Sequence, residues 1–372
     1  MKHLYITVTF LLTIFTLSAQ VPTNYYSSAT GNGYALKTQL KNIINNSDDG
    51  LTTEYQSSDL GYSALYTTFS SSDIDLYFEN NGTLLDMYSE NPSGTDAYEY
   101  SYGTNQDDGS GGTAEGQKYN REHIIPQSVF DGNSPMKNDA HFVVPSDKYI
   151  NAQRGSFPFG VVETANFTST NNSKRGNNLD SGYSAGYTNT VFEPIDEFKG
   201  DIARMYFYFV TRYEDNFVNN DFDSYAMFND SADQVFELTF FNILYQWHTQ
   251  DPVSQRELDR NNAIFNAQNN RNPFIDNPTY VSEIWQGLLS VDEFTAEAAV
   301  KIYPNPVKGS FLNIEVKQNT SFEIYDILGK KILDGNVTPT SKQIGVSQLN
   351  KGVYILKLET PNGGLSKKLI KS

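Results

Sequence analysis

Between Tyr119 and Arg154 the chain gathers side chains able to hold a cation and move a proton: Arg121, Glu122 and His123, then Asp139 and His141, then Asp147, Asn151 and Arg154. Glu122 and Asn151 offer oxygen donors of the kind a hard divalent cation such as Mg²⁺ takes, with water completing its shell. His123 follows Glu122 directly, and successive strand residues point to opposite sides. It is therefore better placed as a general base on a water than as a metal ligand. A cation on a phosphodiester oxygen, a base on the attacking water and an Arg on the scissile phosphate make a complete hydrolytic site. A buried His is nevertheless more often structural than catalytic, and spacing alone leaves both readings open.

The elements that must position these groups are partly legible. His141 to Val144 is a short apolar run ended by Pro145. Ser146 as N-cap and Gly155 just past the end predict a helix of about two turns between them. On it Asp147, Asn151 and Arg154 fall at i, i+4 and i+7, on one face. The strand-like run Glu122–Ile125 supplies Glu122 and His123 from the other side. Helices are also predicted over Gly31–Asn46, Leu60–Phe69, Pro194–Tyr213 (amphipathic), Ala232–Trp247 and Val253–Gln268, with a strand over Thr83–Tyr88 and a loop over Gly103–Gln117. Short alternating segments at Val300–Pro304, Leu312–Lys317, Ser321–Ile327, Lys331–Leu333 and Gly352–Leu358 predict a small β-sandwich.

The whole chain sets further bounds. With no cysteine among 372 residues, disulfides, thiolate metal sites and cysteine nucleophiles are excluded. The 25 Tyr and 24 Phe predict an aromatic core. Met1-Lys2-His3, the apolar run Leu4–Leu17 and Ser18-Ala19-Gln20 read as a secretory signal, and no later stretch is apolar enough for a membrane helix. Charge divides the chain: from Val300 onward there are 11 Lys against 5 acidic residues, whereas residues 21–299 carry 15 basic and 39 acidic ones. That break predicts a domain boundary. The acidity opposes nucleic-acid binding, which draws much of its affinity from phosphate neutralisation. Residues 116–176 run against the trend, with 7 basic and 5 acidic residues, which suggests a locally basic cleft on an acidic body.

The run Tyr-Asn-Arg-Glu-His-Ile-Ile-Pro-Gln-Ser at 119–128 resembles the signature of the bacterial endonuclease I family of secreted and periplasmic nucleases. Residues 139–154, Asp-Ala-His-Phe-Val-Val-Pro-Ser-Asp-Lys-Tyr-Ile-Asn-Ala-Gln-Arg, are similar to its second motif. Phe192-Glu193-Pro194 through Arg204, and Arg260-Asn261-Asn262 through Asp276, extend the likeness in order. The resemblance implies an α+β fold, a mostly helical nuclease domain with a ββα-metal core. It implies His123 as general base, Glu122 and Asn151 as metal ligands, and Arg154 on the phosphate. Arg121, Asp139 and His141 would shape the site, with Asp139 or a nearby carbonyl orienting the His123 ring. Lys148, Arg204 and Arg271 are candidate nucleic-acid contacts, although Arg271, with Asn272 before Pro273, reads better as structural. Ala140, Phe142 and Ile125 depart from the family's usual residues, which puts substrate grip in more doubt than chemistry.

The tail, with Ile302-Tyr303-Pro304-Asn305-Pro306, Tyr325-Asp326-Ile327-Leu328-Gly329-Lys330, Gly352-Val353-Tyr354 and Lys367-Lys368, resembles type IX secretion sorting domains. The organisation expected is a signal over 1–20, a catalytic domain over 21–290, a linker over 291–299 and a sorting domain over 300–372. The function expected is a secreted, monomeric endonuclease hydrolysing DNA, with RNA open as a further substrate. Mg²⁺ is the expected cofactor, Mn²⁺ or Ca²⁺ the alternatives, and the type IX machinery a partner. A phosphodiesterase of small nucleotides and a non-catalytic surface nucleic-acid-binding protein are the rival readings. Asp221, Asp223, Asp230 and Asp233 read as a solvated acidic loop rather than a Ca²⁺ site, and His248 as packing.

Overall fold

Around one helix, buried on every side, the catalytic part of the chain is assembled. The computed structural model describes residues 21–45, 56–218, 222, 225–229, 231–289, 301–316, 319–327, 329–360 and 363–372. The expected signal and linker, and Asp221, Asp223 and Asp230, lie outside the described residues. Helices α1 (Gly33–Asn45) and α2 (Ala64–Ser72) come first. Strands β1 (Tyr119–His123) and β2 (Val143–Asp147) and helix α3 (Lys148–Arg154) follow, then a three-stranded sheet of β3 (Val162–Thr168), β4 (Lys174–Asn178) and β5 (Thr190–Glu193). Helices α4 (Lys199–Arg212), α5 (Glu214–Val218), α6 (Leu238–Gln250), α7 (Gln255–Gln268), α8 (Pro273–Asp276) and α9 (Tyr280–Ile284) complete this part.

The expectation of an amphipathic helix at Pro194–Tyr213 is corrected in one respect. Every residue of α4 from Gly200 to Arg212 is buried. Its polar positions are not a solvent face, because each charge meets an opposite one inside: Asp201 with Arg256, Arg204 with Glu257 and Arg212 with Asp139. A buried charge is tolerable only when paired in this way. Phe207 and Phe209 carry the aromatic core outward, with ring centroids 5.1 Å from Trp285 and 5.0 Å from Phe142 respectively.

No strand forms over Thr83–Tyr88, because the Asp86 carboxylate takes the Tyr88 N–H at 2.9 Å and turns the chain there. Strands β3 and β4 have no counterpart among the sequence expectations. The stretch Glu163–Asn166 is exposed on both faces, so it lacks the alternation by which a half-buried strand is recognised.

In the tail, β6 (Lys301–Tyr303), β7 (Phe311–Glu315), β8 (Thr320–Asp326), β9 (Lys331–Val337), β10 (Gln343–Gly345), β11 (Gly352–Thr360) and β12 (Gly363–Lys371) form two antiparallel sheets, ordered β10-β7-β6 and β12-β11-β8-β9. Leu312, Ile314, Ile324, Leu356, Leu358 and Leu369 fill its separate core. The expected β-sandwich is present, with β10 and β12 added to the strands its pattern predicts.

Candidate active site

β1 and β2 run antiparallel with Glu122 opposite Val144 and His123 opposite Val143, and the chain passes from β2 straight into α3. The N-cap of α3 is Asp147, one residue later than expected. Ser146 is still paired to Asn120 in the sheet, while the Asp147 carboxylate accepts from the Tyr149 and Ile150 N–H groups at 2.8 and 2.9 Å. Asp147 is thus fully buried at the cap and not on a site face with Asn151. Its other oxygen takes the Tyr100 hydroxyl and the Gly116 N–H. Asp147→Ala is expected to cost about 1–2 kcal/mol, read as a lower urea midpoint. An unchanged midpoint would remove the cap from the account. Gly155 ends the helix at φ 58°, a conformation that favours glycine.

Alternation on β1 separates the two chemical groups. Asn120 and Glu122 share the side under α3, where Asn151 donates from Nδ2 to Asn120 Oδ1 at 2.9 Å and Arg154 lies 3.4 Å from Glu122 Oε1. The first bond turns the Asn151 amide so that its oxygen remains available as a donor to a cation. Glu122 is buried and accepts the Tyr88 hydroxyl at 3.0 Å, also on Oε1. Burial pushes its carboxyl up to about 7, against the pull of Arg154 and Tyr88. A buried carboxylate and an amide oxygen, both on the α3 side of β1, fit a hard divalent cation in donor chemistry and in charge.

His123, on the opposite side, stands at the end of β1. Its Nε2 lies 3.0 Å from the Lys137 carbonyl oxygen, which can only accept, so Nε2 carries the proton and Nδ1 the lone pair. Gln127 Nε2 donates toward Nδ1 at 3.3 Å. Burial pushes the imidazole down to about 4, keeping it neutral at neutral pH. The carbonyl alternative of the sequence expectation therefore holds the ring, and Asp139 acts one step further away. Asp139 Oδ2 accepts from Tyr208, Arg212 and Tyr213 at 2.9, 2.6 and 2.8 Å, and Oδ1 from Gln268 at 2.8 Å. It anchors the turn carrying Lys137 to α4 and α7. His141 bonds the Asn270 carbonyl from full burial, and Arg260 holds the same turn through the Ala140 and Val143 carbonyls.

Four candidate contacts have partners within the protein instead. Arg154 does not face a phosphate: it is 1% exposed, donates to the His123, Ile124 and Gly155 carbonyls, and its guanidinium lies 4.6 Å from the Phe159 ring centroid. A guanidinium with this many local acceptors is stable inside the fold. Arg204 is spent on Glu257 and the Asp251 carbonyl, and Arg271 on Asp276 and Asn262, both from burial. Lys148 is half-buried on Asp107 at 2.8 Å.

Other cations near the site have no acidic partner. Arg121 stacks on Tyr62 at 3.4 Å and Tyr66 at 4.3 Å to the ring centroids, and Lys137 lies 4.7 Å from the Tyr62 centroid. Tyr62 is itself 5.9 Å from the His123 ring. Arg175, on β4, donates to Gln153 of α3 at 2.9 and 3.0 Å. Among the described residues Arg121, Lys137, Lys174 and Arg175 form no ion pair. Tyr62, Tyr88, Asn120 and Gln127 were missed by sequence reasoning. Asn120 and Gln127 sit within the quoted run 119–128, but nothing local marks their partners.

Residues 32–279 match the family described as Endonuclease I, and residues 301–372 match the secretion system C-terminal sorting domain. Over 278 residues the chain is 32% identical to an extracellular ribonuclease of Bacillus amyloliquefaciens, covering 73% of this chain and 81% of that protein. Over 269 residues it is 32% identical to an extracellular ribonuclease of Bacillus subtilis (strain 168), covering 70% and 78%. The sorting domain marks the chain as secreted, and no described helix is long and apolar enough to cross a membrane. The chain belongs to the Endonuclease I family of nucleases, enzymes that hydrolyse phosphodiester bonds and are generally metal-dependent, and it ends in a type IX secretion sorting domain.

Proposed function

We propose that this nuclease cuts the backbone of DNA and RNA internally and with little sequence preference. His123 serves as the base and Glu122 and Asn151 as the cation's ligands. The observation that carries the reading is the His123 ring, neutral and held by the Lys137 carbonyl so that Nδ1 is the unprotonated nitrogen, with only the long 3.3 Å bond from Gln127 on it, directly following the buried Glu122. Nδ1 takes the proton of the water whose oxygen attacks phosphorus, as the ester P–O bond breaks and the leaving oxygen takes up a proton from solvent. Gln127, which donates to Nδ1 at 3.3 Å, gives up that bond when the water takes its place. Bound by Glu122 and Asn151, a divalent cation, Mg²⁺ in the first instance, supplies charge stabilisation to the phosphodiester.

Arg154 is a positioning residue, joining the Glu122 carboxylate to the backbone of His123. Substrate grip falls to Arg121, Lys137, Lys174 and Arg175, cations without acidic partners. On a body as acidic as residues 21–299, backbone contacts of this number give modest, salt-sensitive affinity. The Bacillus relatives are named extracellular ribonucleases, which supports testing RNA beside DNA.

The decisive experiment incubates purified protein with circular DNA, linear DNA and RNA, with and without EDTA. Cleavage of the circular substrate that EDTA abolishes, restored by added Mg²⁺, is the expected result. No cleavage in Mg²⁺, Mn²⁺ or Ca²⁺ sinks the proposal. Faster turnover of a small chromogenic phosphodiester than of polymer would favour a nucleotide phosphodiesterase. Glu122→Ala is expected to raise the cation concentration needed for half-maximal rate, and an unchanged requirement would overturn its role.

A further inference from the structure

A second group of carboxylates lies outside the proposed catalytic residues. Oxygens of Asp75, Glu79 and Glu90 lie within 4.8 Å of one another, and Glu79 stands equally close to Asp96 and Glu99. Acidic groups often cluster on surfaces without consequence, but Glu90 is not on the surface. It is 1% exposed, and its Oε1 is sealed from solvent with no hydrogen-bond partner. No described Lys, Arg or His stands within ion-pair distance of any of the five carboxylates. An unpaired buried carboxylate is costly, and beside two like charges more so.

We propose that Asp75, Glu79 and Glu90 bind one Ca²⁺ ion, distinct from the cation at Glu122 and Asn151, with Asp96 and Glu99 adding negative potential on its outer side. Only oxygen donors are offered, and they come from an irregular segment without helix or strand, which suits the larger and more adaptable shell of Ca²⁺ better than the strict octahedron of Mg²⁺. Asp75 is already aimed by the Tyr77, Phe78 and Asn80 N–H groups. Burial, then Asp96, Glu79 and Asp75, push the Glu90 carboxyl up to about 9, and a bound cation would oppose that rise. Sites in extracellular modules bind Ca²⁺ with Kd on the order of 10⁻⁴–10⁻³ M, and this range is expected here.

The site has a structural consequence. Glu90 closes a turn on the Asp86 carbonyl at 2.9 Å. From that turn Asp86 accepts the Asp147 N–H at 2.7 Å, and Tyr88 reaches Glu122 at 3.0 Å. An ion at Glu90 would therefore brace the segment that supports both the α3 cap and the catalytic carboxylate.

The test measures binding rather than cleavage, so it stands apart from the nuclease assignment. Ca²⁺ is titrated calorimetrically into the full chain, into Asn151→Ala, and into each with Glu90→Gln added. Tb³⁺ luminescence excited through tyrosine serves as a second readout. Asn151→Ala is expected to keep one Ca²⁺ site, and adding Glu90→Gln to weaken it roughly tenfold or more. The rise in unfolding temperature that millimolar Ca²⁺ produces should vanish with it. If Asn151→Ala does not fold, the wild-type chain should lose one equivalent of Ca²⁺ on Glu90→Gln. Unchanged Ca²⁺ affinity in Glu90→Gln, or no Ca²⁺ binding beyond the Asn151 site, overturns the proposal. So does a Glu90→Gln protein stabilised in EDTA with its Ca²⁺ response intact, because Glu90 would then be a protonated acid.

Discussion

His123→Ala is expected to slow phosphodiester cleavage by about 10²–10⁴-fold while leaving cation affinity in place. The reason is positional. The ring is fixed by the Lys137 carbonyl at 3.0 Å and leaves one nitrogen able to accept a proton, while the proposed cation ligands Glu122 and Asn151 lie toward α3. Loss of the ring also strips the Lys137 carbonyl of its donor, so the comparison needs His123→Gln, whose amide can donate to that carbonyl but cannot act as a base. Both variants are measured in single-turnover cleavage at saturating Mg²⁺, with thermal unfolding as the fold control. Equal loss in both, with native unfolding in the Gln variant, supports the base. Near-wild-type cleavage by folded His123→Gln would falsify it.

Arg154→Ala is expected to destabilise the catalytic domain by about 3–5 kcal/mol. It should lose activity through that collapse and not through a raised KM. The His123, Ile124 and Gly155 carbonyls each lose the Arg154 donor, Ile124 keeping the Tyr206 hydroxyl, and Glu122 loses its ion-pair partner among the described residues. Arg154→Lys should recover only part of the loss, since an ammonium cannot match the planar fork that spans the His123 and Ile124 carbonyls. Denaturant unfolding and KM measured together decide the matter. A variant of native stability with a raised KM would restore Arg154 to the phosphate. By contrast, Arg121 and Lys137 pair with no carboxylate among the described residues, and their loss should act on substrate affinity and its salt dependence.

Much of this protein is determined by local pattern. The run 119–128 and the block 139–154 mark a strand, an apolar run and a short helix; the helix forms as expected over Lys148–Arg154, while the strands lie at Tyr119–His123 and Val143–Asp147, shifted from Glu122–Ile125 and His141–Val144. Alternation also separates Glu122 from His123 before any contact is known, because side-chain period on a strand is a local property. The tail's short alternating segments reach their strands for the same reason, and the charge break near residue 300 coincides with the start of the sorting domain.

What only the tertiary structure decided is which charges face inward. Arg154 and Arg204 read as candidate substrate contacts because of the family resemblance, which carries no information on which basic side chains are buried. Arg204 is buried because Glu257, 53 residues away, waits inside, whereas Arg271 pairs locally with Asp276. The groups that aim the site come from comparable distances: Tyr88 reaches Glu122 across 34 residues, and Tyr208 reaches Asp139 across 69. Even the cap of α3 is Asp147 and not Ser146, because the Asp147 carboxylate is the one that reaches the Tyr149 and Ile150 N–H groups. Periodicity records what a residue does to its own helix or strand. Pairing of buried charges depends on two segments meeting, and no property of either segment alone contains it.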